Sequence, residues 1–355
     1  MQGFQGSNQR KSTLNDTQEK EKKLTLVQWL GRRIVSMSTA ALTIVVVTTA
    51  AGFFARDHWV ADIFTNLRVQ QIIGLLGIGA ILTIGRQWKW LVVTIALLCI
   101  HAPWFSGALV RAIPTGGQES LSQPELVVMT ANVLTSNRQH DAVLEQIESA
   151  NADVFAILEL STPLQRRLEE ELANAYPHQI AFPQDGGNFG IGLYSRHPLL
   201  DIDSFSTNVP SIQSIGATVK SGSKLWRIIA THPLPPMGQE GFESRNEHLQ
   251  ILGDRVSELR DADKNMAVIV MGDLNVTPWS PLFSDFESRS GLTLAGGSNE
   301  IIPTWYVRPM FPFGLVLDHV LISDDLQCVR REVGPDIGSD HRAVIVAITS
   351  KDSES

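Results

Sequence analysis

The apolar run Met266-Ala267-Val268-Ile269-Val270-Met271 closes on Gly272-Asp273-Leu274-Asn275, and this pattern of a strand-like stretch ending in polar side chains recurs along the last two-thirds of the chain. Short continuous apolar runs rich in β-branched residues read as mostly buried strands. Leu126–Ala131 delivers Asn132, Val154–Leu158 delivers Glu159, and Trp226–Thr231 delivers His232. Gly314–Leu317 delivers Asp318 and His319 before Val320-Leu321-Ile322 continues the strand, and Gly338-Ser339-Asp340-His341 follows near the C-terminus. Core packing does not account for acids, amides and imidazoles at one strand end after another, because buried charges must be paired or bind metal. An oxygen-rich cluster at one edge of a sheet suits a hard divalent cation and a phosphate.

Each motif by itself is weak. A Gly-Asp after a strand is commonly a turn, and single histidines are commonly structural. His140, His178, His197 and His248 accordingly read as surface or loop residues, and His319 as a neighbour of the site. Asp318 lies inside an apolar strand and needs a partner. Thr162-Pro163 with Gln165 has the look of a capping box with proline at the first helical position, so a helix is expected just past Glu159. The amphipathic stretch through Leu249, Ile251, Leu252, Val256 and Leu259 reads as a second helix. Arg245 at its start reads either as a phosphate-binding group or as a solvated helix residue.

In combination the ordered set Asn132, Glu159, His232, Asp273-Leu274-Asn275, Asp318 and Ser339-Asp340-His341 resembles the endonuclease/exonuclease/phosphatase superfamily, the group with the deoxyribonuclease-I-like fold. Gly190–Arg196 looks like one of its middle strands, and Pro303-Thr304-Trp305 ahead of Asp318 matches as well. The resemblance covers roughly Glu125 to Thr349. It implies a four-layer α/β sandwich, two mixed sheets packed face to face with helices outside, and a hydrolase of phosphoester bonds dependent on Mg2+, with Mn2+ suited to the same oxygen ligands. It also implies roles. Glu159 would be the principal metal ligand, helped by Asn132, with Asp340 supporting metal or water. Asp273 would orient or deprotonate the attacking water, and Asn275 would hold a phosphoryl oxygen. His341, oriented by Asp318, would stabilise the transition state or assist the leaving group, and His232 would contact the phosphate from the other side. The abasic-site endonucleases of the family carry an acid two positions after the strand-end asparagine; Leu134 stands there, so that subgroup fits less well. Val276-Thr277-Pro278-Trp279 departs from the inositol polyphosphatase pattern.

The first third has a different character. Ile34 to Ala55 holds no charged residue over 22 positions, Val69 to Gly85 none over 17, and Trp90 to Val110 none over 21. At about 1.5 Å per residue such runs cross or nearly cross a bilayer core. Three transmembrane helices are therefore expected, at 34–55, 69–85 and 90–110, with Trp88, Trp90 and Trp104 as interfacial anchors. The remaining organisation reads as a polar cytoplasmic tail at 1–33, unstructured over its first 23 residues by composition, a linker at 111–124, and a catalytic domain at 125–350. Seven Lys and Arg precede Ile34, against two in each inter-span loop. That bias puts the tail in the cytoplasm and, with three spans, the catalytic domain outside it; with the second span discounted, the orientation reverses. Cys99 and Cys328 are the two cysteines, so no disulfide is expected within the domain.

From residue 112 onward 17 basic residues face 32 acidic ones, a net charge of −15, whereas the first 111 residues carry +7. A domain this acidic lacks the basic footprint of a protein that grips long nucleic acid. The leading expectation is a membrane-anchored, metal-dependent phosphodiesterase, with nuclease as its foremost named activity and a lipid or sugar phosphodiesterase or phosphatase as the rival. Its expected partners are a phosphoester substrate and the lipid bilayer, with no obligate protein partner inferred. A catalytically inactive, membrane-bound binding module is the alternative from another class. Glu159, Asp273, Asn275, Asp340 and His341 standing together argue against it. A transporter is disfavoured because the spans hold no paired intramembrane charges.

Overall fold

The computed structural model describes residues 5–105, 124–222, 224–263, 266–296, 300–307 and 313–351. The chain divides into two compact units, one made of residues up to Ala51 together with Arg68–Pro103, the other of Gly52–Leu67 together with Trp104 onward.

The first unit is helical: α1 (Gln5–Ala51), α3 (Arg68–Ile84) and α4 (Trp88–His101). Its buried apolar residues are few, Leu42, Leu75, Ile78, Leu82 and Leu97. Ile44, Val47, Ile73, Leu76, Val92 and Ile95 are all exposed instead. Helices that bury a thin seam and present apolar side chains outward have the surface that a bilayer accepts and water does not. Gln28–Phe54 and Trp88–Phe105 are each long and apolar enough to cross a membrane. Alone, α3 is 17 residues, about 26 Å of helix. It passes the same test only taken together with α2 (Trp59–Asn66). The tail does not stay unstructured, since α1 begins at Gln5. Residues 7–30 contain neither Gly nor Pro and are rich in Gln, Lys, Glu and Leu, so helix propensity favours continuing the apolar helix backwards. Most of the expected linker at 111–124, and the end of the expected third span, lie outside the described residues.

The second unit holds two mixed sheets of six strands each, flanked by helices. The first is built from β1 (Leu126–Asn132), β2 (Val154–Leu158), β3 (His178–Phe182), β4 (Ile191–Ser195), β11 (Leu326–Val333) and β12 (Val344–Ser350), in the order β11-β12-β1-β2-β4-β3. The second contains β5 (Leu199–Ser206), β6 (Gln213–Ser221), β7 (Lys224–Thr231), β8 (Ala267–Asp273), β9 (Thr293–Leu294) and β10 (Asp318–Ile322), in the order β5-β6-β7-β8-β10-β9. The central strands β1, β2, β8 and β10 are buried along nearly their whole length, as their continuous apolar runs require. Leu126, Val128, Val154 and Ala156 of one sheet meet Trp226, Ile228, Ile269 and Val320 of the other in a shared core. On the outer faces lie α5 (His140–Ala150) and α6 (Thr162–Leu172) over the first sheet, and α7 (Gly238–Ala262) and α8 (Pro281–Ser290) over the second. Ser161, not Thr162, caps α6, its Oγ accepting from the Leu164 N–H. The layered fold expected from the sequence is the one present.

The catalytic unit reaches further back than residue 125. Residues 52–67, with α2 at their centre, belong to it. Asp62 of α2 is wholly buried and 2.7 Å from Arg245, which is wholly buried too. The Thr277 N–H donates to Asn66 Oδ1 at 2.8 Å, and the Trp279 indole N–H donates to the Asn66 carbonyl at 3.0 Å. Arg245 is therefore neither a solvated helix residue nor a phosphate ligand; its charge is taken up by Asp62.

Candidate active site

In both sheets a parallel pair sets the direction of the site. β1 runs parallel to β2, and β7 parallel to β8, so their C-terminal ends open on the same edges and deliver Asn132, Glu159, His232 and Asp273 there. β10 runs antiparallel to β8 with Asp318 directly opposite Asp273. The turn before β12 brings Ser339-Asp340-His341 to the same place: Ser339 Oγ donates to the Asn132 carbonyl at 2.8 Å and accepts from the His341 N–H at 3.0 Å. Gly272 is required here, because a Cβ on it would meet the Thr231 carbonyl oxygen at 1.9 Å. Glu159 and Asn275 both hold left-handed backbone, with φ of 58° and 52°. For residues with side chains such strain persists only where the surroundings enforce it, and it gathers at functional sites.

The side chains form one network. Asn132 Nδ2 donates to Glu159 Oε1 at 2.9 Å and reaches Asp273 Oδ2 at 3.3 Å. The Thr135 N–H donates to Glu159 Oε2, and the Asn275 N–H to Asp273 Oδ1 at 2.9 Å. Asp273 Oδ2 lies 3.4 Å from His232 Nε2 and 3.6 Å from His341 Nε2. His341 Nδ1 is 2.8 Å from Asp318 Oδ2. Asn275 Nδ2 donates to the Pro233 carbonyl. The Trp305 indole N–H donates to Asp340 Oδ2 at 3.0 Å, and Phe189 lies against the His232 ring, their centroids 5.3 Å apart. Every site residue expected from the sequence is thus in this cluster or on its rim. His319 is beside it, bonded to the Val276 carbonyl. His248 is not on the surface: it is buried between the Thr207 and Thr231 hydroxyls, 2.7 Å from each.

The electrostatics follow from burial and pairing. Burial pushes the Glu159 carboxyl upward, opposed by His232 and by the Asn132 and Thr135 hydrogen bonds. Burial would also raise Asp273, but His341, His232 and the Asn275 N–H hold it down, at about 2. His341 is the reverse case: burial would lower it, and Asp318 and Asp273 push it up to about 10. A divalent cation fits this donor set. Glu159 is 7% exposed and has no Lys or Arg partner among the described residues; with Asn132 it offers the hard oxygen ligands such an ion takes. Donor atoms of Asp273, Asp318 and His341 also lie within 4.8 Å of one another, but the 2.8 Å contact between Asp318 and His341 marks that trio as a proton-holding pair beside a carboxylate.

The network floors a cavity of about 700 Å3 lined by Glu159, His232, Asp273, Asn275, Asp340 and His341, with an apolar wall contributed partly by α2. That wall was not legible in the sequence, because nothing in Trp59–Asn66 signals a partner some 180 residues on. Trp305 was visible only as part of Pro303-Thr304-Trp305, without its bond to Asp340.

Two sheets with helices outside and a carboxylate-imidazole cluster at their shared edge define a phosphoesterase fold. The model of the Endonuclease/Exonuclease/phosphatase family matches residues 129–341, and the chain belongs to that family. It is a hydrolase acting on phosphoester bonds, in a family that depends on a divalent metal. Among solved structures, an endonuclease/exonuclease/phosphatase from Beutenbergia cavernae is 22% identical, at a TM-score of 0.52, over 63% of this chain and 71% of that one. The human Nocturnin catalytic domain with bound sulfate is 19% identical, at 0.51, over 65% and 96%. TDP2 from D. rerio, complexed with a single-strand DNA product, is 15% identical, at 0.53, over 63% and 99%. These likenesses are of fold. No curated protein matches the chain.

Proposed function

We propose that the protein is a membrane-anchored phosphodiesterase that works with Mg2+ or Mn2+ and carries its catalytic unit on the extracytoplasmic side. The observation that carries the catalytic part is the continuous chain from Glu159 through Asn132 and Asp273 to His341 and Asp318 at the floor of one cavity. Glu159 and Asn132 would hold the metal, with Asp340, fixed by Trp305, in support. Bound there, the ion offsets charge developing on the phosphoryl oxygens. Asp273, a carboxylate down to about pH 2, orients the attacking water by accepting its proton in a hydrogen bond. His341 keeps its proton with Asp318 on Nδ1, so its Nε2–H donates to the leaving-group oxygen and gives it the proton as the P–O bond breaks, while the proton that the water loses on bonding to phosphorus passes by way of Asp273, 3.6 Å from Nε2, and restores His341. His232 approaches the phosphate from the opposite side of Asp273, and Asn275, held by its Nδ2 bond to the Pro233 carbonyl, contacts another phosphoryl oxygen.

Sidedness rests on the place of α2. Residues 52–67 pack into the catalytic unit, so this loop and the domain face one compartment, and the chain between them crosses the membrane an even number of times. Since Trp88–Phe105 is long and apolar enough to cross, α3 crosses as well, giving three spans. The basic tail then sits in the cytoplasm and the domain outside. A nuclease is the activity the family suggests first; the −15 charge of residues 112–355 weighs against a tight grip on a long polyanion.

The test uses the full chain in detergent with bis(p-nitrophenyl) phosphate as reporter. Turnover that needs magnesium or manganese, stops with chelator and is lost in Asp273→Ala is expected. An Asp273→Ala protein that folds and turns over like the parent ends this reading of the site.

A further inference from the structure

The two walls of the cavity differ in kind. One carries the catalytic polar groups; the other is made by Ile63 of α2, by Leu67 at that helix's C-terminal cap, and by Phe189, Leu234, Pro235 and Met237. No Lys or Arg is among the described residues lining it, so the side-chain nitrogen donors that face a ligand there are those of the imidazoles His232 and His341, the Asn275 amide and other neutral groups. A nucleic acid strand is held chiefly by Lys and Arg on its phosphates and, where single-stranded, by aromatic stacking as well; this cavity has the aromatics Phe189 and Trp305 but, among the described residues, neither Lys nor Arg, and much of its lining is apolar. A phosphodiester with an apolar body matches that division.

The origin of the apolar wall points the same way. Ile63 lies on α2, between α1 and α3, and Leu67 caps that helix and immediately precedes Arg68, the first residue of α3. The polar side of that helix is anchored below: Asp62 to Arg245, Ser280 Oγ to Asp62 Oδ1 at 3.1 Å, and Asn66 to Thr277 and Trp279. Arg245 passes the connection on, its Nη1–H donating to the Asn275 carbonyl at 2.7 Å. The helix that lines the cavity is thus joined both to the loop bearing Asn275 and, through the chain itself, to apolar spans. Phe53 and Phe54, at the start of the same loop, are 75% and 63% exposed, as side chains placed to enter the bilayer interface are.

We propose that the substrate is a phosphodiester lipid of the bilayer in which the protein sits, and that Ile63 and Leu67 form the wall receiving its apolar body while the phosphate meets His341, His232 and Asn275. This assignment rests on the phosphodiesterase reading of the same site. The experiment is made on the full chain reconstituted with magnesium into vesicles of phosphatidylethanolamine and phosphatidylglycerol, with plasmid DNA and bis(p-nitrophenyl) phosphate assayed in parallel. Release of lipid headgroup is expected, and Ile63→Asn with Leu67→Asn lowers lipid turnover relative to reporter turnover by about tenfold, the scale on which an apolar pocket discriminates. Where that pair of substitutions prevents folding, Met237→Asn, at a side chain 77% exposed on the same wall, takes its place with the same change of ratio expected. Reporter turnover without headgroup release, or DNA cleaved in preference to lipid, overturns the lipid assignment and leaves the phosphodiesterase standing. An unchanged ratio in a folded variant overturns the role of the wall. No turnover of any of the three substrates removes the phosphodiesterase itself, and this inference with it.

Discussion

One oxygen of Asp318 is 2.8 Å from Nδ1 of His341, and the other has no partner among the described residues. That single contact fixes the imidazole with its Nε2 toward Asp273 and the cavity. Asp318→Asn offers a neutral amide in its place, so His341 loses both its orientation and the charge that holds its proton. The expected result is a fall in kcat on the reporter by about 10²-fold or more with a smaller change in KM; a variant within about threefold of the parent kcat rules out the orienting role. His248 gives a prediction about stability. Burial first, and His232 second, lower its pKa to about 3, so the folded protein keeps it neutral at a pH where the unfolded chain protonates it. Its contribution is complete above the ordinary pKa of 6.5 and is lost as pH falls toward about 3, by roughly 2 kcal/mol between about pH 7 and about pH 5. His248→Gln, which can still bond the two threonines, flattens that part of the Tm-against-pH curve; an equally steep curve in the variant disproves the assignment. Of these two residues the sequence disclosed only Asp318, because a charge inside an apolar run demands a partner. His248 sits on a helix whose neighbours Glu247 and Gln250 are polar, and the hydroxyls that take it inward come from a loop and a strand distant in sequence.

At the scale of elements, the strands were legible because each one writes its burial locally, as an unbroken apolar run, and its function at its last residue. The helix α2 writes neither. Trp59–Asn66 is eight residues between two apolar spans, and only the fold reveals that Asp62 meets an arginine 183 positions later. For the same reason Arg245, whose helical pattern is compatible with solvent, is in fact wholly enclosed. Removing one member of such a pair leaves the other charge buried and unpaired, which costs roughly 3–5 kcal/mol. Asp62→Ala in the full chain is accordingly expected to lower the thermal midpoint of the catalytic unit and, through the Arg245 bond to the Asn275 carbonyl, to reduce turnover. Replacing both partners by Met restores most of the midpoint, since the lone charge is then gone. A single Asp62→Ala variant as stable as the parent disproves the view that α2 is an integral part of the domain. The same pairing implies that a fragment beginning at residue 112 lacks one wall of its own active site and is less stable than the full chain.

At the scale of the whole molecule, composition already separated a basic, apolar first third from an acidic remainder. Counting charges could not decide how often the chain crosses the membrane, because Val69–Gly85 is at the lower length limit for a span and its removal inverts the outcome. The proposed sidedness takes its constraint from packing: a loop that buries Asp62, Thr65 and Asn66 in the catalytic unit would share that unit's compartment, and parity would then have α3 and α4 cross together or not at all. On the proposed three-span arrangement the short turn between them, Gly85–Gln87, would fall on the opposite side, with Arg86 there and Lys89 just beyond it, in keeping with the preference of Lys and Arg for the cytoplasmic face. Alkaline phosphatase, which is active only outside the cytoplasm, reads this arrangement directly. Fused after Ser355 of the full chain it is expected to be active, and fused after Arg86 inactive, whereas a green fluorescent reporter at the same two positions gives the inverse pattern. Activity at both positions means that α3 does not cross while the loop and the domain share a side. Silence after Ser355, with fluorescence there, puts the catalytic unit in the cytoplasm, and the substrate it meets is then drawn from the inner leaflet.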